Sequence, residues 1–203
     1  MEYTHVKHTF SPVYNEESRI LILGSFPSVK SRENQFYYGH PQNRFWKVIA
    51  GIFKEPLPQT IDEKKDLLLR HRIAVWDVID SCDIVGSSDS SIRNVVPNDM
   101  NLILSNAKIQ GIFANGGKAH QLFVKYCNKE GMPPLGKLPS TSPANAAWNL
   151  ERLTEEWKTA FETYLEITEQ EKTNDPDSKW NRAAHPASDG LYSYMGRNQK
   201  WYA

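Results

Sequence analysis

The sequence predicts an α/β protein, a three-layer α/β/α sandwich around a central, mainly parallel sheet of four strands. Two observations carry this. Short apolar, β-rich runs alternate along the chain with stretches of helical periodicity, the pattern of a parallel sheet covered on both faces. After the last run comes a long segment in which Leu150, Leu153, Trp157, Phe161, Tyr164 and Leu165 recur at three- and four-residue steps, one apolar helical stripe.

The strands are expected at 19–23, 73–76, 109–114 and 135–138. The helices are expected at 43–53, 61–72, 98–107 and 117–128, with a last one over 149–171. Open sheets of this class bind ligands beyond the carboxyl ends of their strands. Four segments leave the expected strands there: Gly24–Ser28, Asp77, Asn115-Gly116-Gly117 and Ser140–Asn145. The class should bring them together. Residues 1–171 are expected to form one domain. Residues 172–203 show no period but carry Trp180, Tyr192, Tyr194, Trp201 and Tyr202, and are expected to be an irregular extension packed on it.

At 203 residues, 39% hydrophobic and 24% charged, the chain has the composition of a globular protein. No apolar run approaches the ~20 residues that span a bilayer. Met1-Glu2-Tyr3-Thr4-His5 lacks the charged start and apolar centre of a signal peptide, so a cytoplasmic protein without membrane contact is expected. The two cysteines, Cys82 and Cys127, exclude a disulfide framework and a four-cysteine cluster, and are expected to be buried. The six histidines form no HExxH, and no metal site is expected. Net charge is zero but uneven: residues 151–177 hold nine acids and three bases, and the rest of the chain is +6. An acidic far helix would leave a modestly basic face for phosphate, although charge runs commonly only solvate a helix.

Three motifs carry the chemistry. Gly24-Ser25-Phe26-Pro27-Ser28 is either an ordinary strand-ending turn or a place where backbone amides and hydroxyls meet a base or phosphate. Tyr37-Tyr38-Gly39-His40-Pro41-Gln42-Asn43-Arg44-Phe45-Trp46 sets rings, a neutral amide and a cation just before a helix, equipment for gripping a planar base beside a phosphate backbone. Its bland reading makes Asn43 an N-cap and the tyrosines core residues. Ser140-Thr141-Ser142-Pro143-Ala144-Asn145 is a rigid hydroxyl-rich loop or a plain turn and cap.

In this order and spacing, the motifs over residues 18–165 resemble the uracil-DNA glycosylase superfamily. The segment from Gly39 to Ile49 looks like that of its mismatch-specific uracil/thymine glycosylases, and Ser142-Pro143 sits where the superfamily carries its DNA-pressing second motif. Two positions depart from the common pattern. Phe26 stands where other branches place a water-positioning Asp or Asn, and Ser140 where many carry His. GSFPS with YYGHPQNRFW and STSPANAAW resembles the hypoxanthine-DNA glycosylase branch, in which the Asn of the P-x-N segment takes the catalytic role.

The resemblance implies a monofunctional DNA glycosylase, a monomer needing no cofactor, that flips a deaminated base out of DNA and hydrolyses its N-glycosidic bond to begin base excision repair. It places catalysis on Asn43. Tyr38 is expected to stack on the base, with Phe26 backbone groups and Asp77 reading its polar edge; Asp77 reads otherwise as a cap or turn residue. DNA contacts are expected from Ser28, His40, Gly116, Gly117, Lys118, Ser142, Ala144 and Asn145, the glycines and Lys118 meeting phosphate at a helix N-terminus. A uracil-directed enzyme of the same fold and a DNA-binding module without chemistry are the rival readings. A small-molecule hydrolase lacks its GxSxG elbow.

Overall fold

The computed structural model describes residues 2–86 and 88–165, all within one unit spanning Met1–Thr168. In chain order the elements are β1 (Thr4–Lys7), β2 (Ile20–Gly24), α1 (Val29–Glu33), α2 (Phe45–Phe53), α3 (Ile61–Arg70), β3 (Ile73–Asp77) and β4 (Ile79–Ile84). Then come β5 (Arg93–Pro97), α4 (Asn101–Leu104), β6 (Gly111–Asn115), α5 (Gly117–Tyr126), β7 (Leu135–Leu138) and α6 (Leu150–Glu162).

Every residue of β2 and β3 is buried, which requires cover on both faces of the sheet. The sheet runs β3-β2-β6-β7 with all pairs parallel. Gly24 lies beside Asp77, and Asn115 beside Leu138, so all four strands end along one edge. The helices complete a three-layer α/β/α sandwich. In α6 the stripe Leu153, Trp157 and Phe161 is fully buried, and Trp157 Nε1 donates to the Pro139 carbonyl at 3.0 Å. That bond ties the last helix to the hydroxyl-rich loop. Leu150, expected on the same stripe, is exposed.

Three differences from expectation stand out. First, a second sheet of order β1-β4-β5, antiparallel throughout, sits where β3 ends, since β4 begins two residues after Asp77. Second, the helix expected over 98–107 shrinks to α4. Asn98 Nδ2 donates to the Asp77 carbonyl at 2.9 Å, and Asp99 Oδ1 accepts from the Asn101 N–H at 3.1 Å, so side chains occupy groups a longer helix would pair. Third, the short α1 was not expected; Ser28 caps it, accepting from Ser31 N–H at 3.2 Å. Residues 166–171 of the last expected helix and the expected extension 172–203 lie outside the described residues. Both cysteines are buried free thiols, pushed up to about 11 chiefly by desolvation, and so remain protonated at neutral pH.

Candidate active site

A cavity of about 500 Å³ opens at the carboxyl edge of the sheet. Gly24–Ser28, Asp77, Asn115 and Ser140–Ala144 line it, so all four strand exits converge there, joined by Tyr38, His40 and Asn43 from the loop before α2. Such a crevice is where a parallel sheet places its ligand.

Asn43 is held by a hydrogen-bond chain whose directions are determined. Its Oδ1 accepts from the Phe45 N–H at 2.9 Å and from Thr141 Oγ1 at 3.0 Å. Thr141 Oγ1 in turn accepts from Asn115 Nδ2 at 3.0 Å, while Asn115 Oδ1 accepts from the Thr141 N–H at 3.0 Å. The Phe45 and Thr141 amides can only donate, and this fixes both side-chain amides without ambiguity. The cap reading of Asn43 does not hold: Arg44 is the N-cap of α2 and caps with no side chain, while Asn43, one residue earlier, takes the first helical N–H on its oxygen. Its Nδ2 makes no hydrogen bond among the described residues, so toward the cavity Asn43 is a donor.

Asp77 is buried at the end of β3, its Oδ2 2.9 Å from His8 Nε2. Its Oδ1 overlies Gly24: a Cβ there would stand 2.1 Å from that oxygen and 3.6 Å from the Tyr38 hydroxyl. The missing side chain of Gly24 is what leaves room for the Asp77 carboxylate; the Tyr38 hydroxyl would be in ordinary contact. Tyr38 takes a left-handed backbone, φ 52°, and stacks one ring face on Phe45 at 3.8 Å. That face is closed to a base. Its hydroxyl is buried without a well-formed hydrogen bond. Desolvation and then the Asp77 charge push the phenol far above its usual range, with the neighbouring Asn115 amide opposing them. The group stays protonated.

Phe26 lines the cavity but turns its ring inward, edge-on to His8 at 6.4 Å, so no side-chain polar group occupies that position. Its backbone N–H has no partner among the described residues. Arg44 corrects the expectation of a phosphate-gripping cation. Its guanidinium donates to the carbonyls of Thr141 (3.3 Å), Ser142 (2.7 Å), Asn145 (3.0 Å) and Trp148, bracing the loop before α6. The donors a phosphate would need are already engaged.

Of the residues expected to touch DNA, Ser28, His40, Ser142 and Ala144 line the cavity. Gly116, Gly117, Lys118 and Asn145 do not. Asn145 donates its amide to the Ser140 carbonyl at 2.9 Å, inside the loop. Gly116, at φ 98°, lets Ser140 approach: a Cβ would meet that of Ser140 at 2.9 Å. Gly117 opens α5 in free space, and no side chain caps that helix start. Sequence reasoning missed Thr141, Asn115 and His8 as site residues, and Asp89. Asp89 lines the rim, where Ser25 Oγ donates to its carboxylate at 3.2 Å. Desolvation lifts that carboxyl, with the Ser25 bond and the Lys118 charge opposing and Asp77 adding to the rise. Thr141 sat inside a motif already singled out; nothing in the sequence pointed to His8. Among the described residues, no group of three or more His, Cys, Asp or Glu could hold a metal ion.

The family model of the Uracil DNA glycosylase superfamily matches residues 11–166. A protein of Methanosarcina acetivorans named Hypoxanthine DNA glycosylase is 37% identical over 159 residues, 77% of this chain and 98% of that protein. One of the same name from Methanosarcina barkeri is 35% identical over 116 residues, 56% of this chain and 73% of its own. The solution NMR structure of a candidate uracil DNA glycosylase from Methanosarcina acetivorans superposes with a TM-score of 0.63 at 33% identity, covering 76% of this chain and 95% of that one. With the matched segment running through every strand exit that lines the cavity, the chain belongs to the uracil DNA glycosylase superfamily.

Proposed function

We propose that this chain is a hypoxanthine DNA glycosylase, a monofunctional hydrolase that releases a deaminated base from DNA. The observation that carries the reading is the pairing, in one cavity, of an outward acceptor on Asp77 with the donor amide of Asn43, in a chain so similar to proteins of that name. Flipping the nucleotide costs a few kcal/mol, least for a mispaired base. Once flipped, the base offers an N1–H to Asp77 Oδ1 and a carbonyl to the Phe26 amide. Uracil shares that N–H/C=O edge and is the second substrate the site accommodates. The Tyr38 hydroxyl, protonated and without a well-formed hydrogen bond, closes the same end of the cavity.

As the glycosidic bond stretches, the sugar gains oxocarbenium character and the base departs as an anion. Asn43 has spent its acceptor lone pairs on Phe45 and Thr141, so it works by donation. Its Nδ2 hydrogens stabilise charge on the leaving base and hold the attacking water by its oxygen. Because the amide is fixed before substrate arrives, no reorganisation is needed during the reaction. Lys30 is the lysine of the lining, and it is paired with Glu33 at 2.7 Å. This reading favours a base-only product without strand cleavage. Outside the cavity, the open start of α5 with Lys118 suits a phosphate.

A panel of duplexes carrying hypoxanthine, uracil or xanthine, run under single-turnover conditions with the wild type and Asn43→Ala, tests this. Hypoxanthine should leave fastest, and the variant should lose about 10²–10³ in rate while remaining folded. Failure of the wild type to release any of the three bases would leave a DNA-binding module instead.

A further inference from the structure

His8 follows β1, in the antiparallel sheet that the sequence pattern did not disclose. It is 69 residues from Asp77, yet its Nε2 lies 2.9 Å from Asp77 Oδ2, with the two side chains 3% and 6% exposed. Its backbone N–H is fixed to the Asp80 carbonyl at 2.6 Å. Its ring packs at 4.4 Å from that of Phe10 and 6.0 Å from that of Tyr37. We propose that His8 is a positioning residue that fixes Asp77 as a hydrogen-bond acceptor toward the flipped base, and so sets the preference for a deaminated purine over adenine. The proposal rests on Asp77 being the carboxylate that reads the base.

A carboxyl group that carries a proton can offer a pocket either an acceptor or a donor. The bond to Nε2 removes that choice. If the imidazole supplies the proton of this bond, Asp77 is a carboxylate and both oxygens accept. If the carboxyl supplies it, the proton lies on Oδ2, facing His8, and Oδ1 is a carbonyl oxygen. Either way Oδ1, the oxygen over Gly24, presents only lone pairs. No side chain or backbone group among the described residues donates to it. The other ionisable groups nearby are the Tyr37 and Tyr38 phenols, kept protonated by burial, and the Asp89 carboxylate at the rim.

The purine edge tests this acceptor at N1, beside the Phe26 amide, which tests the neighbouring carbonyl. Hypoxanthine carries a hydrogen on N1 and pairs with Oδ1. Adenine has a lone pair on N1, which would face the lone pairs of Oδ1 with both left unpaired. Sites built around one such hydrogen bond reject the mismatched analogue by orders of magnitude. Without His8 nothing holds Oδ2, so the carboxyl can turn about its Cβ–Cγ bond and Oδ1 no longer keeps its place over Gly24 as a fixed acceptor against adenine.

The test measures single-turnover base release from matched duplexes with hypoxanthine or adenine at one site, for the wild type, His8→Phe, His8→Gln and Asp77→Asn, each checked for its folded spectrum. His8→Phe should lower the hypoxanthine-over-adenine ratio by at least about tenfold. His8→Gln, whose amide can still donate to Oδ2, should recover most of it. A folded His8→Phe with the wild-type ratio overturns the proposal, as does a His8→Gln no better than His8→Phe. If neither variant folds, His8 is structural and the proposal falls. Asp77→Asn separates the two claims. An unchanged ratio there sinks the reading of Asp77 itself, whereas a changed ratio beside an unaffected His8→Phe sinks only the role of His8.

Discussion

Thr141 Oγ1 donates to Asn43 Oδ1 at 3.0 Å across 98 residues of sequence, so the second motif sets the orientation of the residue the first motif supplies. Thr141→Val removes that donor and strands Asn115 Nδ2. One hydrogen bond of about 1 kcal/mol corresponds to roughly fivefold in rate, and the loss should fall on the chemical step rather than on DNA affinity. Thr141→Ser keeps the hydroxyl and should recover it. Single-turnover rates beside equilibrium DNA binding check this; a Val variant at full rate would show that Asn43 needs no such support.

Arg44 bonds four carbonyls of the loop before α6 and serves that loop rather than DNA. Arg44→Met should destabilise the protein by about 3 kcal/mol, since charged hydrogen bonds are individually strong and not additive. DNA binding should weaken as the loop loosens, yet the slope of log K against log salt should match the wild type. A cation touching phosphate would lower that slope by about one on substitution. A reduced slope would return Arg44 to the phosphate backbone.

The parallel sheet was legible because β2, β3 and most of β6 are buried on both faces and read as apolar runs; the edge strand β7, with Lys137 exposed, follows from the alternation of strand and helix rather than from its own composition. The antiparallel sheet was not legible. The four residues Thr4–Lys7 are mostly exposed, and Ile79–Ile84 mixes Asp80, Ser81 and Asp83 with its apolar residues without strict alternation, a short span that turn chemistry imitates. Asn43, Asp77 and the loop residues were legible as motif positions at strand exits. What the motifs could not supply was direction. Asn43 looks the same whether its oxygen or its nitrogen faces the cavity, and Phe45, Thr141 and Asn115 decide that only in three dimensions. Arg44 beside aromatics suggested phosphate for the same reason: carbonyls offered by a loop about a hundred residues later leave no trace near it.

Tyr38 carries a buried hydroxyl with no well-formed hydrogen bond, a cost to the empty protein of about 1–3 kcal/mol. Tyr38→Phe should therefore melt no lower than the wild type while releasing hypoxanthine more slowly, because the hydroxyl finds a well-formed hydrogen bond when a base is present. The same substitution should extend stability at high pH. The folded phenol titrates far above the unfolded value of 10.0, chiefly through desolvation and then the Asp77 charge. Stability from this group is complete below pH 10 and falls as pH rises past that value, where only the unfolded chain can ionise. Thermal melts from pH 8 to 11 should show a steeper alkaline loss in the wild type than in the variant; parallel curves would mean that the phenol is reached by water.

Gly24 is the position where a single methyl should separate fold from function. Its Cβ would stand 2.1 Å from Asp77 Oδ1, far inside contact distance. A flexible side chain would swing aside at little cost, but His8 holds the other carboxylate oxygen at 2.9 Å and the Asn98 amide holds the Asp77 carbonyl. Gly24→Ala must either break the His8 bond or push the carboxylate away from the cavity, at about 1–3 kcal/mol of stability. Hypoxanthine release should drop by about a hundredfold, because a misplaced contact of one ångström is costly in a preorganised site. Adding Asp77→Gly removes the clash but also the acceptor, and it strands the buried His8 imidazole, so neither activity nor the wild-type melting temperature should return. Full base release by Gly24→Ala would show that Oδ1 does not face the substrate.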